Sequence, residues 1–320
     1  MRKHLLIKTF LLLALLPAAC AGRQDKKPVP TTPREFPMVT VPTALTDVGL
    51  RAAWIADHYW DPFLNPAERY PGDSLYNGIT ARELEQQTGN FAYILQLVPV
   101  SKAREAVSAL YDRLQAFEAE DSDRRLSGEM TRLLEKYLYD PNSPMRCEDA
   151  FNAFATRLAQ DPRLGAEQQE RYAYIARMSA RNATGTQAAD FSFVDLAGRR
   201  RRLSDIRAEH ILLIFGNPDC QSCRELMEAL GAEPAISERI RSGALRVLDI
   251  YIDEDIPAWK AAAADYPREW INGCDPEGLI RSDELYHVRA IPSLYLLDGQ
   301  RTVLLKDAPQ ERVIAYLANQ

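Results

Sequence analysis

Cysteine and histidine are scarce in this chain of 320 residues, with five of the first and four of the second. A structural zinc site takes about four such ligands in tetrahedral spacing. Only Cys220 and Cys223 have the spacing of half a site, no second Cys-x-x-Cys exists, and no histidine pair lies near them. Zinc is the weaker reading of that couple, which leaves a redox pair or two small buried side chains, and neither a metal nor another cofactor is expected. Positive charge is short as well: 39 Lys and Arg face 45 Asp and Glu, a net charge of -6. Loss of a leader carrying Arg2, Lys3 and Lys8 would make the remainder more acidic still. Such a surface does not attract a phosphate backbone, so nucleic acid is not an expected partner. The one basic run, Arg199 to Arg202, reads as a solvated hairpin tip. Also missing is any apolar stretch beyond residue 20 long enough to cross a bilayer, which places everything after it on one side of a membrane.

What is present suits an ordinary folded chain. Apolar residues make up 46% and charged ones 26%, enough for a real core, and the length accommodates two domains plus an export segment. Residues 1–19 read as a signal peptide: a basic Met1-Arg2-Lys3-His4, an apolar stretch from Leu5 to Leu16, then small residues. Pro17-Ala18-Ala19-Cys20 resembles the lipobox of bacterial lipoproteins, with Pro17 where leucine is usual. That resemblance implies diacylation of Cys20 and attachment to a membrane through lipid, with simple cleavage as the alternative. Residues 20–43 hold Pro28, Pro30, Pro33, Pro37 and Pro42 and read as a semi-extended tether. Ala21 stands where inner-membrane lipoproteins commonly carry aspartate, which favours the periplasmic face of the outer membrane.

The apolar period then divides the chain in two. From residue 44 to about 185 it is helical, most clearly in Val107, Leu110, Tyr111, Leu114 and Phe117, and again in Phe151, Phe154 and Leu158. Five or six helices and no strand are expected, with Asp140-Pro141-Asn142-Ser143-Pro144 as punctuation. Tyr59, Trp60 and Phe63 belong in the core of this half. Near Ala189 the period changes. Phe191 and Phe193 alternate, Ile211 to Phe215 and Leu245 to Ile252 are short apolar runs, the latter with Asp249 inside it, and Asp298-Gly299 joins two further extended stretches as a hairpin. Helical segments from Cys220, Pro257 and Gln310 fall between and after them. The order predicts an α/β domain over residues 186–320 with a mixed central sheet flanked by helices.

Cys220 follows a buried-strand run and the turn Gly216-Asn217-Pro218-Asp219, and it opens a helix. Unpaired amide groups there stabilise a thiolate. Some seventy residues on, Ala290-Ile291-Pro292-Ser293 precedes a strand. With these two features in order, residues from Asp190 onward resemble the thioredoxin-like envelope proteins of the TlpA and ResA type. Asn217-Pro218-Asp219-Cys220, Trp270-Ile271-Asn272-Gly273 and Tyr295-Leu296-Leu297-Asp298 are similar to a Bacteroidota branch of that family, in which an all-α domain of unknown function precedes the thioredoxin fold. His58-Tyr59-Trp60-Asp61 and the stretch from Tyr137 to Met145 look like the hallmarks of that domain.

The resemblance implies a thiol-disulfide oxidoreductase of the cell envelope. Cys220 would be the attacking thiol, Cys223 the resolving thiol, and Ile291 with Pro292 the platform for an extended substrate segment. Partners would be envelope proteins with disulfides and an electron donor that the sequence does not identify. Three departures stand out. Asp219 replaces the usual tryptophan, Gln221 and Ser222 replace the better-known central residues, and the strand carboxylate that thioredoxin carries six residues before its first cysteine is Ile214. Asp219 opposes a Cys220 thiolate, while a Ser222 hydroxyl can donate to the sulfur. The expected direction is therefore reduction or isomerisation, not strong oxidation. A peroxidase would need a threonine three residues before the attacking cysteine, where Asn217 stands. The alternative from another class is a lipoprotein binding module that uses the fold as a scaffold; replacing both thiols by serine would spare it and abolish an oxidoreductase. Cys147 and Cys274 read as small buried side chains.

Overall fold

The computed structural model describes residues 32–70, 75–119 and 124–320. The expected signal peptide and Cys20 lie outside the described residues. Among the described residues six α-helices build the first half: α1 (Val48–His58), α2 (Ala81–Gln96), α3 (Val100–Phe117), α4 (Arg125–Leu134), α5 (Glu148–Ala159) and α6 (Ala166–Ser179). Side chains fix the starts of α1 and α2. Asp47 accepts the Leu50 amide at 2.8 Å and Thr80 accepts the Glu83 amide at 3.1 Å, each satisfying a donor that the first turn leaves unpaired. Helix α4 runs into a π-turn, Glu135–Tyr139, and there the chain leaves the helix toward Pro141. The stripe Val107, Leu110, Tyr111, Leu114 and Phe117 is buried, as are Tyr59, Trp60 and Phe63.

The stretch assigned to a tether needs one correction. Arg34 donates its amide to Gly78 O at 2.9 Å and its Nε to Asn77 O at 2.9 Å, and the Phe36 ring packs 5.3 Å from Phe63 and 5.7 Å from Trp60. At Arg34 and Phe36 the segment is fastened to the helical half. Proline content describes the backbone but does not register one aromatic anchor.

The second half is a seven-stranded sheet in the order β2-β1-β5-β4-β3-β6-β7. The strands are β1 (Ser192–Asp195), β2 (Arg200–Arg202), β3 (His210–Gly216), β4 (Leu245–Tyr251), β5 (Ile271–Cys274), β6 (Ser293–Asp298) and β7 (Val303–Leu305). β3, β4 and β5 run parallel, while the other pairings are antiparallel. The helices are α7 (Gln221–Ala232), α8 (Pro234–Ser242), α9 (Ile256–Ala261), α10 (Leu279–Ser282) and α11 (Gln310–Ala318). Alternation along β3 sends Ile211, Leu213 and Phe215 to one layer with Phe193, Ile250 and Tyr295, and Leu212 and Ile214 to the other with Leu226 and Leu230 of α7 and Val313 of α11. The arginine run read as a hairpin tip is edge strand β2, registered on Ser192 to Val194, and its turn is taken by Gly198 at φ 78°.

A buried seam joins the halves. Glu148, at the first turn of α5, holds Lys306 at 2.8 Å and His287 Nδ1 at 2.8 Å. Arg289 bonds the Tyr139 carbonyl and Asp307, the latter at 3.2 Å. The connecting residues pair with β7, Gly185 N–H donating to Val303 O at 2.8 Å and Val303 N–H to Thr186 O at 2.9 Å.

Candidate active site

The thiols are delivered by the end of β3, all of whose residues are buried. Asn217 then forms the turn. Its side-chain oxygen accepts the Asp219 amide at 2.8 Å, its carbonyl accepts the Cys220 amide at 3.1 Å, and its Nδ2 donates to Asp253 at 2.5 Å. Cys220 thus arrives as the cap of α7, and its Sγ accepts the Cys223 amide at 3.3 Å. A thiolate in this place occupies the position of a capping oxygen and meets the positive end of the helix dipole. Antiparallel pairing of β3 with β6 puts Phe215 opposite Ser293, which carries the preceding Ile291-Pro292 to the thiol. That peptide bond is cis, and Cys220 Sγ lies 3.7 Å from Ile291 O. The structure therefore brings Cys220, Cys223, Ile291 and Pro292 together.

The two thiols differ in access. Cys220 is half-buried and Cys223 is buried. Burial, and then the hydrogen-bonded Cys220, push the Cys223 thiol far above its usual range. Asp219 and Ser222 are both exposed. The donor within reach of Cys220 Sγ is the Cys223 amide, while Ser222 lines a groove beside the site.

The carboxylate missing at Ile214 reappears on the adjacent strand. Asp249 of β4 pairs in register with Ile214 of β3 and is buried on the α7 side of the sheet. A Cβ placed on Gly216 would sit 3.3 Å from Asp249 Oδ1 and 3.7 Å from Cys223 Sγ, so this glycine is the gap across which the two groups face each other. Desolvation pushes the Asp249 carboxyl up to about 7. On β5 the registered neighbour is Asn272, whose Oδ1 is buried without a donor. Sequence reading passed over Asp249 because it sought the acid on the strand leading to Cys220. The available signal was an aspartate inside the apolar run Leu245 to Ile252.

A groove of about 280 Å³ borders the thiols on the Pro292 side. Ser222, Glu225, Ala290, Ile291 and Pro292 form one wall, and Pro141, Asn142, Pro144 and Arg146 of the helical half form the other. Cys147 and Cys274 are buried and free. Among the described residues no cluster of His, Cys, Asp or Glu could hold a metal ion, and no helix is long and apolar enough to cross a membrane.

Residues 19–182 match the family described as domain of unknown function DUF5106. No curated protein matches the chain. Among solved structures, a thioredoxin-like protein from Bacteroides caccae is 34% identical, with 90% of this chain and 99% of that one covered and a TM-score of 0.75. The C-terminal domain of an uncharacterized protein from Bacteroides fragilis is 44% identical, with 43% of this chain and 98% of that one covered and a TM-score of 0.42. The thioredoxin domain of a thiol-disulfide oxidoreductase from Bacteroides vulgatus is 20% identical, with 43% of this chain and 96% of that one covered and a TM-score of 0.38. With a helical DUF5106 region ahead of a mixed sheet that presents Cys220 and Cys223 to Pro292, the chain belongs to the thioredoxin-like proteins of this two-part kind.

Proposed function

We propose that the chain is a thiol-disulfide oxidoreductase of the cell envelope, exported through residues 1–19, anchored through a lipidated Cys20, and reducing or isomerising disulfides in envelope proteins. The observation that carries this reading is the asymmetric pair: a half-buried Cys220 on a helix N-terminus, and a buried Cys223 across a glycine gap from Asp249. The Cys220 thiolate attacks one sulfur of a substrate disulfide, forming a mixed disulfide and releasing the other sulfur as a thiolate. Cys223 then gives its proton to the Asp249 carboxylate and attacks Cys220 Sγ. The Cys220–Cys223 disulfide forms, the substrate's second thiolate leaves, and two electrons have passed to the substrate. A dithiol donor returns the pair to the reduced state. Ile291 and Pro292 supply the platform along which an extended segment lies.

What surrounds the sulfur supports this direction. Among the described residues no cationic side chain hydrogen-bonds Cys220 Sγ, and Asp219 stands next to it in sequence. A strong oxidant stabilises its thiolate with more than a helix terminus.

Reduced protein mixed with a disulfide-linked peptide should release peptide thiols, Cys220→Ser should release none, and Cys223→Ser should accumulate a peptide adduct on Cys220. Wild type no faster than the double serine variant would sink the oxidoreductase reading. Equilibration with glutathione tests direction, since a potential near the about -120 mV of strong oxidants would reverse the assignment. Fatty-acid labelling that Cys20→Ser abolishes would support the anchor, and unlabelled wild type would refute it.

A further inference from the structure

We infer that the helical domain is part of the substrate site: its loop from Asp140 to Arg146 forms the second wall of the groove beside Cys220, and this groove selects an extended polypeptide segment that carries a basic side chain near its disulfide. The inference rests on the oxidoreductase reading and gives the domain of unknown function a task within it.

The loop is built as a fixed wall. Asp140 Oδ1 accepts the Asn142 amide at 2.8 Å, Ser143 Oγ donates to Tyr137 O at 2.6 Å, and Gln96 Nε2 donates to Met145 O at 2.9 Å. The same loop is tied to the segment it faces. Arg146 donates to Asp307 O at 2.7 Å and to Ala308 O at 2.9 Å, and Asp307 accepts Ser293 Oγ at 2.8 Å, one residue after Pro292. The two walls are thus held at a set spacing by part-buried bonds. At about 280 Å³ the groove is smaller than the ~300 to 1,000 Å³ of sites that enclose a small molecule. It is open along its length and takes one or two side chains of a passing segment.

Its charge decides which. The lining carries two exposed carboxylates, Glu225 and Glu311, and one cation, Arg146. Arg146 is turned to the Asp307 and Ala308 carbonyls and lies 3.9 Å from the Asp307 carboxylate, which leaves Glu225 and Glu311 to set the sign of the groove. Among the described residues the one hydrogen-bond partner of Glu225 is the neutral Gln221 amide, at 2.8 Å. The free charge facing the groove is negative, which attracts lysine or arginine and repels aspartate or glutamate. Arg224, the nearest cation on α7, donates to Pro218 O and belongs to a separate recess with Tyr266.

The test uses the full chain carrying Cys223→Ser, reduced, and measures the rate of mixed-disulfide formation with three probes. These are a disulfide peptide flanked by lysines, the same peptide flanked by glutamates, and hydroxyethyl disulfide. The lysine peptide should react roughly three- to tenfold faster than the glutamate peptide at low salt, with the ratio shrinking at high salt. Adding Glu225→Gln and Glu311→Gln should bring the ratio of the two peptides close to one. Asn142→Trp should lower both peptide rates relative to hydroxyethyl disulfide, because the bulk enters the groove from the helical side. A peptide ratio unaffected by the glutamine pair, or peptide rates that Asn142→Trp leaves unchanged against hydroxyethyl disulfide, would overturn the inference. Failure of all three probes to react would remove the oxidoreductase reading first and this inference with it.

Discussion

Two carboxylates are buried in the same molecule and behave in opposite ways. Glu148 lies at the seam between the halves among Lys306, His287 and Arg289; burial opposes its ionisation, but the His287 hydrogen bond and the neighbouring cations prevail and hold its carboxyl down near about 2. Asp249 lies under the thiols, where desolvation pushes it up to about 7. The first is a charge fixed by its partners. The second is a carboxyl that is part-ionised near neutral pH and can take a proton where Cys223 must lose one. Equal burial therefore separates structural from chemical roles only when the partners are counted.

The largest expected effect comes from breaking the seam. Glu148→Gln leaves Lys306 and Arg289 buried without their shared anion, a change that costs about 3 to 5 kcal/mol when a buried pair loses one partner. Denaturant unfolding at neutral pH should show the loss. The sign with pH is set by the lowered carboxyl: wild-type stabilisation is fully present above about 4.5 and disappears as pH falls through about 2. The variant should show no such acid limb from this site. A fragment beginning at Thr186 should be less affected than Glu148→Gln, since water then reaches the orphaned cations, and it should unfold cooperatively. An unfolded fragment beside a stable full chain would make the seam the centre of a single core.

Asp249→Asn should act in the other direction on stability. With the folded carboxyl raised from 3.8 to about 7, the protonated form's contribution is fully present below about 3.8 and lost as pH rises through about 7. At roughly 1.4 kcal/mol per pH unit the variant should gain up to about 4 kcal/mol over wild type above neutral pH and nothing near pH 3.5. The same change should slow resolution of the mixed disulfide by Cys223, measured by stopped flow, while attack by Cys220 is less affected. Unchanged resolution across pH 6 to 9 would mean that Asp249 does not take the proton.

The sequence made one of these two carboxylates partly visible and left the other hidden. An aspartate within Leu245 to Ile252 marks a buried acid, but its closeness to Cys223 depends on the parallel register of β3 with β4, which no local pattern states. Glu148 looks like a surface residue at a helix start, and its partners lie about 140 to 160 residues away in sequence. The thiols and the strands β3, β4 and β6 were legible because apolar runs and the Cys220 turn are local signals, while Pro292 was named through the family resemblance. Strand β5 was not, since Asn272-Gly273 reads as a turn, and α8 and β2 were masked by charge. The loop Asp140 to Pro144 read as punctuation, and only folding places it against the groove.

Gly273 sharpens the view of the α/β half as a tightly packed layer. A Cβ there would come 2.4 Å from the Phe193 ring and 3.1 Å from Ile250, so β5 needs glycine for space at a place where strand preference disfavours it. Gly273→Ala should cost about 1 to 3 kcal/mol through forced repacking. A midpoint shift with an unchanged denaturant slope would be the signature. No shift would show that Phe193 moves aside freely.

The smallest effect is expected at the seam's rim, and it completes the contrast with Glu148. Arg177 of α6 pairs with Glu284 across the same two halves, but Arg177 is exposed and Glu284 partly so, their side chains at 50% and 35%. Water already solvates each charge, so the pair replaces hydration without adding much to it, and ordering two long side chains offsets the remaining attraction. Arg177→Ala should leave the unfolding midpoint within error, and 0.5 M salt should leave the wild-type midpoint equally unmoved at this pair. The prediction separates two ways of holding the domains together. If Arg177→Ala loosened the halves as much as Glu148→Gln, the interface would be held by long-range charge, and burial would have little to do with it. If only Glu148→Gln does so, the seam is held where water is excluded and partners must be fully matched.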